Sequence, residues 1–209
     1  MSEAAQRLKL WSTHPAAGIE AERMAILDRI AREVSALITH KGSAALNFIC
    51  THNSRRSHLA EIWCRTALAY HKVSGISTYS GGSEATALYT ASAKAMEALG
   101  FDVHCSGGQN NPEYKIFLPG LESAEDTPVL FSKTYDHQSN PRENFVAVLV
   151  CDHAFESCPM VHGCSAKIGL MYIDPKWSDG NDEQHNVYVE TAKTIGREMN
   201  YLAIAIAKG

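Results

Sequence analysis

The residues with the clearest chemical potential lie in a short polar segment that begins at Cys50. From residue 50 to residue 57 it reads Cys-Thr-His-Asn-Ser-Arg-Arg-Ser, so five residues separate Cys50 from Arg56. A cysteine thiolate is a nucleophile, and an arginine guanidinium can bind two oxygens of one anion with its planar fork. The spacing Cys-x5-Arg therefore predicts a loop in which Cys50 attacks an oxyanion that Arg56 holds.

The flanking sequence predicts how this loop is positioned. Residues 44–50 form an apolar run typical of a buried strand, and apolar residues recur at helical spacing from Ser57 onward. Free backbone N–H groups and the dipole at a helix start favour a bound anion and a thiolate. The alternative is a buried strand-end cysteine that has a surface arginine nearby. The predicted substrate-binding loop comprises Thr51, His52, Asn53, Ser54, Arg55, Arg56 and Ser57.

The rest of the chain alternates between strand-like and helix-like segments. Apolar runs predict strands at residues 44–50, 76–80, 101–105, 145–151 and 167–173. Helical spacing predicts helices at residues 18–39, from 57 onward, at 84–99 and at 188–206. Residues 106–128 are rich in Gly, Asn and Pro and are expected to form an irregular insertion that encloses a hairpin around Ile116 to Leu118. This alternation indicates an α/β fold with a largely parallel sheet, and such folds bind ligands at the carboxyl ends of their strands.

The helix predicted at 18–39 carries an apolar stripe that something must cover. The stripe consists of Met24, Leu27, Ile30, Val34, Leu37 and Ile38. Either the rest of the chain covers it, or it mediates homo-oligomerisation or partner binding. We assign residues 1–42 to an N-terminal helical extension and residues 43–209 to a catalytic domain.

Composition restricts the class of protein. The net charge of -4 without basic clusters argues against nucleic-acid binding. No apolar run approaches the ~18 residues of a membrane span, and the first residues lack the pattern of a secretory signal, so a cytoplasmic protein is expected. The six cysteines include no C-x-x-C spacing, which disfavours a structural zinc site. No cofactor and no metal ligand are predicted.

The segment from Phe48 through Cys50 to Glu61 resembles the opening of the low-molecular-weight protein tyrosine phosphatase superfamily, which includes the thioredoxin-coupled arsenate reductases. The resemblance extends, with interruptions, over about residues 45–205. It implies a three-layer α/β sandwich with a central, mostly parallel four-stranded sheet, here with the N-terminal helical extension added. His52 stands where the family generally has glycine, which changes the freedom of the loop backbone.

Asp174 and Pro175 resemble the general-acid loop of the same family. The resemblance implies that Asp174 protonates the leaving oxygen during attack by Cys50. Without it, Asp-Pro is a dipeptide that commonly begins a turn. Asp152 and Asp182 are weaker candidates for the acid.

The segment from Val150 to Met160 resembles the redox segment of thioredoxin-coupled arsenate reductases. The resemblance implies that Cys151 displaces arsenite from Cys50, and that Cys158 then attacks Cys151 to form a disulfide for thioredoxin to reduce. Other interpretations stay open from the residues alone. Cys151 is then a core residue and Cys158 incidental, or the pair binds a metal with a nearby histidine, or Cys164 replaces Cys158.

The predicted function is therefore thiol-based reduction of arsenate to arsenite through Cys50 and a Cys151/Cys158 disulfide relay, with thioredoxin as the electron donor. The alternative is a protein tyrosine phosphatase that hydrolyses phosphomonoesters through a thiophosphate intermediate on Cys50. Both enzymes act on a tetrahedral oxyanion. Some reductases bind a monovalent cation at residue types that match Asn53, Glu61 and Ser80, but the remaining ligand has no clear counterpart in this sequence.

Overall fold

A four-stranded parallel sheet forms the centre of the structure, a computed structural model that describes residues 2–152 and 161–209. In chain order the strands of the whole structure are β1 (Ala44–Cys50), β2 (Ile76–Gly82), β3 (Asp102–Ser106), β4 (Glu113–Phe117), β5 (Phe145–Leu149) and β6 (Cys164–Gly169). The central sheet has the order β2-β1-β5-β6, and each neighbouring pair is parallel. The predicted α/β fold with a parallel four-stranded sheet is confirmed.

Helices flank this sheet. They are α1 (Glu3–Thr13), α2 (Ala21–Lys41), α3 (Arg56–Tyr70), α4 (Thr90–Ala98) and α5 (Gln184–Lys208), with a short 3-10 helix at Pro175–Ser178. Helix α2 packs against β1, β5 and β6, while α3 packs against β1 and β2. Helix α5 contacts each of the other four helices. None of the helices in the described residues combines the length and the apolar character needed to cross a membrane.

Strand β1 is one of the two interior strands of the sheet, because it pairs with β2 on one side and with β5 on the other. All seven of its residues are buried, as the mostly apolar run predicts. Ile49 pairs with Gly81 in β2 and with Leu149 in β5. The carboxyl ends of β1, β2 and β5 therefore meet at one edge of the sheet, and Cys50 lies at that edge.

The apolar stripe of α2 is covered within the chain. Leu27, Ile30, Val34 and Leu37 are buried against the sheet and α5. The helix ends at Gly42, whose φ of 78° lies in the left-handed region that favours glycine. Of the two explanations for the stripe, the structure supports packing on the rest of the chain, and these side chains are not available to a partner.

Two predicted strands have other positions than the sequence indicated. Strand β3 pairs antiparallel with β4 in a separate two-stranded sheet, and β4 overlaps the hairpin expected around residues 116–118. Most residues of β3 are exposed, which a strand inside a parallel sheet does not permit. Strand β6 begins at Cys164 instead of residue 167. Because β6 is the outer strand of the sheet, its first residues include the exposed Ser165 and do not form an apolar run that predicts a strand.

Helix α4 begins later than predicted, at Thr90 instead of residue 84. The N–H groups of Ser83, Glu84 and Tyr89 donate to the carbonyl groups of Cys50, Thr51 and Ser54 respectively. The backbone of residues 83–89 is hydrogen-bonded to the loop of residues 50–57, here called the nucleophile loop after the predicted role of Cys50. It is therefore not free to form a helical turn.

Candidate active site

Cys50 is the last residue of β1, and α3 begins six residues later at Arg56. Between them Asn53 has a φ of 43°, the left-handed conformation that asparagine tolerates. Cys50 is buried, and its Sγ lies 3.1 Å from the Oγ of Ser57. Asn53 Nδ2 donates to the same Ser57 Oγ at 2.9 Å, which leaves the Ser57 hydroxyl hydrogen free to point at the sulfur. Ser57 therefore links Asn53 to the sulfur of Cys50.

The back of the loop is held by residues that lie far along the chain. Asn53 Oδ1 accepts from the backbone N–H of Lys133 at 2.8 Å, and the hydroxyl of Ser132 donates to the carbonyl of His52 at 2.9 Å. Gly82 allows close approach on another side, because a β-carbon there would lie 2.6 Å from the Thr51 carbonyl oxygen. The loop conformation is therefore fixed by contacts with its surroundings.

Arg56 contacts the predicted general acid. Its Nη2 lies 2.6 Å from Asp174 Oδ2, and its Nη1 donates to the carbonyl of Tyr172 at 2.8 Å. The side chain of Arg56 is 12% exposed and that of Asp174 is 41% exposed. Asp174 Oδ1 also accepts from the N–H of Lys176 and so caps the 3-10 helix. Cys50, Arg56 and Asp174, the predicted nucleophile, anion-binding arginine and general acid, line one cavity of about 390 Å³. Thr51, His52 and Ser54 line it as well.

Arg55 lines the same cavity, but its guanidinium is bonded elsewhere. Its Nε donates to Tyr188 Oη and its Nη2 to Asp179 Oδ2, both at 2.6 Å. Its Cζ lies over the Tyr89 ring, 4.2 Å from the ring centroid. Tyr188 Oη in turn donates to Asp179 Oδ1 at 2.6 Å. Burial lowers the pKa of Arg55, but the bonds to Tyr188 and Asp179 raise it by more. Burial and the bond to Asp179 raise the pKa of Tyr188, which keeps its hydroxyl protonated.

His52 lies at the exposed side of the loop. Its Nε2 is 3.7 Å from Glu84 Oε2, and both side chains are largely exposed. Its carbonyl oxygen also accepts from Thr86 Oγ1 at 3.1 Å. The position therefore contributes its backbone to the loop framework and its ring to the rim of the cavity.

The cysteines predicted to act after Cys50 lie in different parts of the chain relative to the loop. Cys151 follows β5, is buried, and its Sγ lies 3.5 Å from Thr51 Oγ1 at the wall of the loop. Cys158 falls within residues 153–160, outside the described residues. Cys164 pairs with Phe145 at the start of β5, so an extended chain of roughly 20 Å separates it from the Cys151 end of the sheet. Cys164 therefore lies at the opposite end of the strands from Cys151, which argues against its replacing Cys158.

A buried cluster of titratable residues lies behind the loop. It consists of His58 and Glu61 on α3 with Lys133, and all three are buried. Sequence reasoning named Glu61 as a residue type matching a cation site but found neither His58 nor Lys133. Burial, assisted by the charge of Lys133, lowers the pKa of His58 to about 3. Burial raises the pKa of Glu61 against the opposing effect of Lys133, and burial lowers the pKa of Lys133. A lysine in an aperiodic segment gives no sequence signal of burial, since lysine is rarely buried.

Comparison with known proteins identifies relatives of two kinds. No protein-family model matches the sequence. The chain is 27% identical over 157 residues to an arsenate reductase of Halalkalibacterium halodurans, covering 75% of this chain and 92% of that protein. Its fold is similar to a low molecular weight protein tyrosine phosphatase from Bacillus subtilis (TM-score 0.51, 13% identity, 78% of this chain and 97% of that one). A protein tyrosine phosphatase from Entamoeba histolytica gives a TM-score of 0.50 at 12% identity, over 80% of this chain and 99% of that one.

The fold is similar to that of low molecular weight protein tyrosine phosphatases, and the sequence is similar to that of an arsenate reductase. The resemblance expected from the loop sequence is confirmed as a similarity to proteins of these two kinds.

Proposed function

We propose that this protein reduces arsenate to arsenite, with Cys50 as the nucleophile, Cys151 and Cys158 as the disulfide relay and thioredoxin as the electron donor. The main support is Cys151, whose sulfur lies beside Thr51 in the wall of the Cys50 loop. Arsenate reduction needs two electrons, which a pair of thiols supplies on forming a disulfide, whereas a phosphatase needs a single thiol. The similarity to the Halalkalibacterium halodurans arsenate reductase supports the same choice.

In the first step Cys50 forms a bond to arsenic. Arsenate binds to the loop N–H groups and to Arg56, the Cys50 thiolate attacks, and one As–O bond breaks. Asp174 donates the proton with which that oxygen leaves as water. Arg56 is bonded to Asp174 in the structure, so an oxyanion that takes over the guanidinium frees the carboxyl group for this proton.

The next steps transfer the electrons. The Cys151 thiolate attacks Cys50 Sγ, the S–As bond breaks with its electron pair moving to arsenic, and arsenite leaves with a Cys50–Cys151 disulfide formed. The Cys158 thiolate then attacks Cys151 Sγ and releases the Cys50 thiolate. Two thiols of thioredoxin reduce the resulting Cys151–Cys158 disulfide. Cys151 lies two residues beyond the pairing of Ile49 with Leu149, and its Sγ is 3.5 Å from Oγ1 of Thr51, the residue after Cys50, which supports the first of these attacks.

The relay is tested by coupling arsenate reduction to NADPH oxidation through thioredoxin and thioredoxin reductase. Cys158→Ser should release about one arsenite per protein molecule and then stop, because Cys50 stays in a disulfide with Cys151. Cys164→Ser is the matched control and should turn over normally, since Cys164 lies at the other end of the sheet. Normal turnover by Cys158→Ser would show that the proposed relay is wrong.

A phosphatase activity is the second candidate, and an apolar groove next to the acid favours it. The groove has a volume of about 560 Å³, and Tyr172, Ile173, Pro175, Trp177 and Val187 form the apolar part of its lining. Polar residues line the rest, namely Glu183, Asn186, Glu190, Thr191 and Thr194. Ile173 and Trp177 are exposed, on either side of the Asp174–Pro175 turn, and suit the aromatic ring of an aryl phosphate. Hydrolysis of an aryl phosphate that Cys151→Ser and Cys158→Ser leave unchanged would favour this function over the relay.

A further inference from the structure

Two adjacent arginines of the loop meet two aspartates of one segment. Arg55 bonds to Asp179 and Arg56 to Asp174, each with an N···O distance of 2.6 Å. The aspartates bracket the 3-10 helix Pro175–Ser178, since Asp174 caps its start and Asp179 follows its end. The segment that carries Asp174 is thus tied to the nucleophile loop at two points.

The two ties differ in how completely the arginine is engaged. Arg55 uses Nε for Tyr188 and Nη2 for Asp179, while its face stacks on Tyr89. Its side chain is 13% exposed and that of Asp179 is 22% exposed. To bind an oxyanion with its fork, Arg55 would have to break both bonds and leave the Asp179 carboxylate and the Tyr188 hydroxyl without it.

The tie through Arg56 is instead the one that substrate disrupts. An oxyanion in the loop competes with Asp174 for the Arg56 guanidinium, so this contact is lost when the acid is needed. We propose that Arg55 is a positioning residue that, with Asp179 and Tyr188, holds the Asp174 segment over the loop while Arg56 binds the oxyanion. The inference rests on the proposed function only in that Asp174 acts as the acid, which arsenate reduction and phosphate ester hydrolysis share.

Removing the charge of Arg55 and, separately, the charge of Asp179 distinguishes a positioning role of Arg55 from an anion-binding role. If Arg55 positions the acid, Arg55→Gln and Asp179→Asn should each lower kcat about tenfold and change the Kd of inorganic phosphate by less than about twofold. The double variant should be no slower than the slower single variant, because both changes break the same contact. If Arg55 binds the oxyanion, Arg55→Gln should instead weaken phosphate binding about tenfold or more and Asp179→Asn should not. That result, measured by titration calorimetry, would overturn the proposal.

Hydrogen exchange tests the same idea without relying on turnover. With phosphate bound, exchange over residues 172–180 should be about tenfold faster in Arg55→Gln and Tyr188→Phe than in the unmodified protein. Tyr201→Phe is the control on the same helix, because Tyr201 bonds to Asp28 of α2, and exchange over 172–180 should not change. Unchanged exchange in all variants would overturn the inference. An inactive protein that still shows these exchange differences would contradict the proposed function and leave the positioning role standing.

Discussion

The floor and the mouth of the nucleophile loop are held in different ways. The floor consists of Cys50, Asn53 and Ser57 with the 132–133 segment behind them, and neutral hydrogen bonds between buried groups hold it. The mouth consists of the two arginines and the Asp174–Asp179 segment, and partly exposed charged pairs hold it. The contacts of the floor are therefore shielded from solvent, whereas the mouth contains a contact that an anion can replace.

Energetics make the same distinction. A buried donor or acceptor that loses its partner costs about 1–3 kcal/mol, while an exposed ion pair contributes about 0–1 kcal/mol. Replacing the Asp174 carboxylate on Arg56 with an oxyanion hence costs little. Rearranging Asn53, which bonds to both Ser57 and the Lys133 backbone, would disturb two buried contacts at once.

Loss of the nucleophile on the floor should have the largest effect. Cys50→Ser should lower arsenate turnover by at least about 10⁴-fold, because serine is a far weaker nucleophile than a thiolate. Phosphate should still bind, since the loop N–H groups and Arg56 remain. Cys105→Ser, at an exposed position on β3, is the control and should turn over normally. Retained activity in Cys50→Ser would show that another residue is the nucleophile.

Loss of the fork at the mouth should follow. Arg56→Lys keeps the charge but cannot form two parallel bonds to an anion, so kcat/KM for arsenate should fall about 100-fold. Arg65→Lys is the matched control on the same helix, where Arg65 bonds to Glu122 away from the cavity. Steady-state kinetics on both variants decide the matter, and an equal loss in both would argue against a clamp at Arg56.

The parts of the site that sequence could predict are those whose partners lie close along the chain. The distance from Cys50 to Arg56 is set within one strand–loop–helix unit, so its residue pattern was sufficient. The adjacent Arg55 was predicted to bind substrate, as Arg56 was, yet its partners Asp179 and Tyr188 lie more than a hundred residues away and leave no local pattern. For the same reason Lys133 behind the loop was not predicted.

The fold shows a similar limit. The buried strands β1 and β5 have mostly apolar sequences. The bounds of β1 were predicted correctly, and β5 was predicted with its correct start but with an end two residues late, at residue 151. The start of the edge strand β6 was predicted three residues late, because polar residues such as Ser165 interrupt its apolar pattern. Register in the sheet, and not spacing in the chain, shows that Cys164 lies far from Cys151.

The stability of the protein should depend on the buried titratable residues Glu61 and Lys133 behind the floor. Lys133→Met removes the charge that opposes the raised pKa of Glu61, so that pKa should rise further. A carboxyl group with a raised folded-state pKa favours the folded protein below its unfolded pKa and disfavours it as the pH rises. The free energy of unfolding should therefore fall by about 1–3 kcal/mol near pH 7.5, and by less near pH 5.

Urea unfolding at the two pH values measures this effect. Adding Glu61→Gln to Lys133→Met should restore part of the stability at the higher pH, because no buried carboxyl group then remains in the cluster. Equal stability of Lys133→Met and the unmodified protein near pH 7.5 would show that Glu61 does not depend on this lysine.

The smallest change in stability should come from the mouth. Asp174→Asn removes one carboxylate from a pair whose aspartate side chain is 41% exposed, so the free energy of unfolding should change by less than about 1 kcal/mol. Turnover should nevertheless fall about 100-fold, because asparagine cannot donate the proton to the leaving oxygen. Urea unfolding and steady-state kinetics on the same preparation separate the two effects. A loss of stability as large as that of Lys133→Met would mean that the mouth is as firmly built as the floor, and that an oxyanion does not easily displace Asp174 from Arg56.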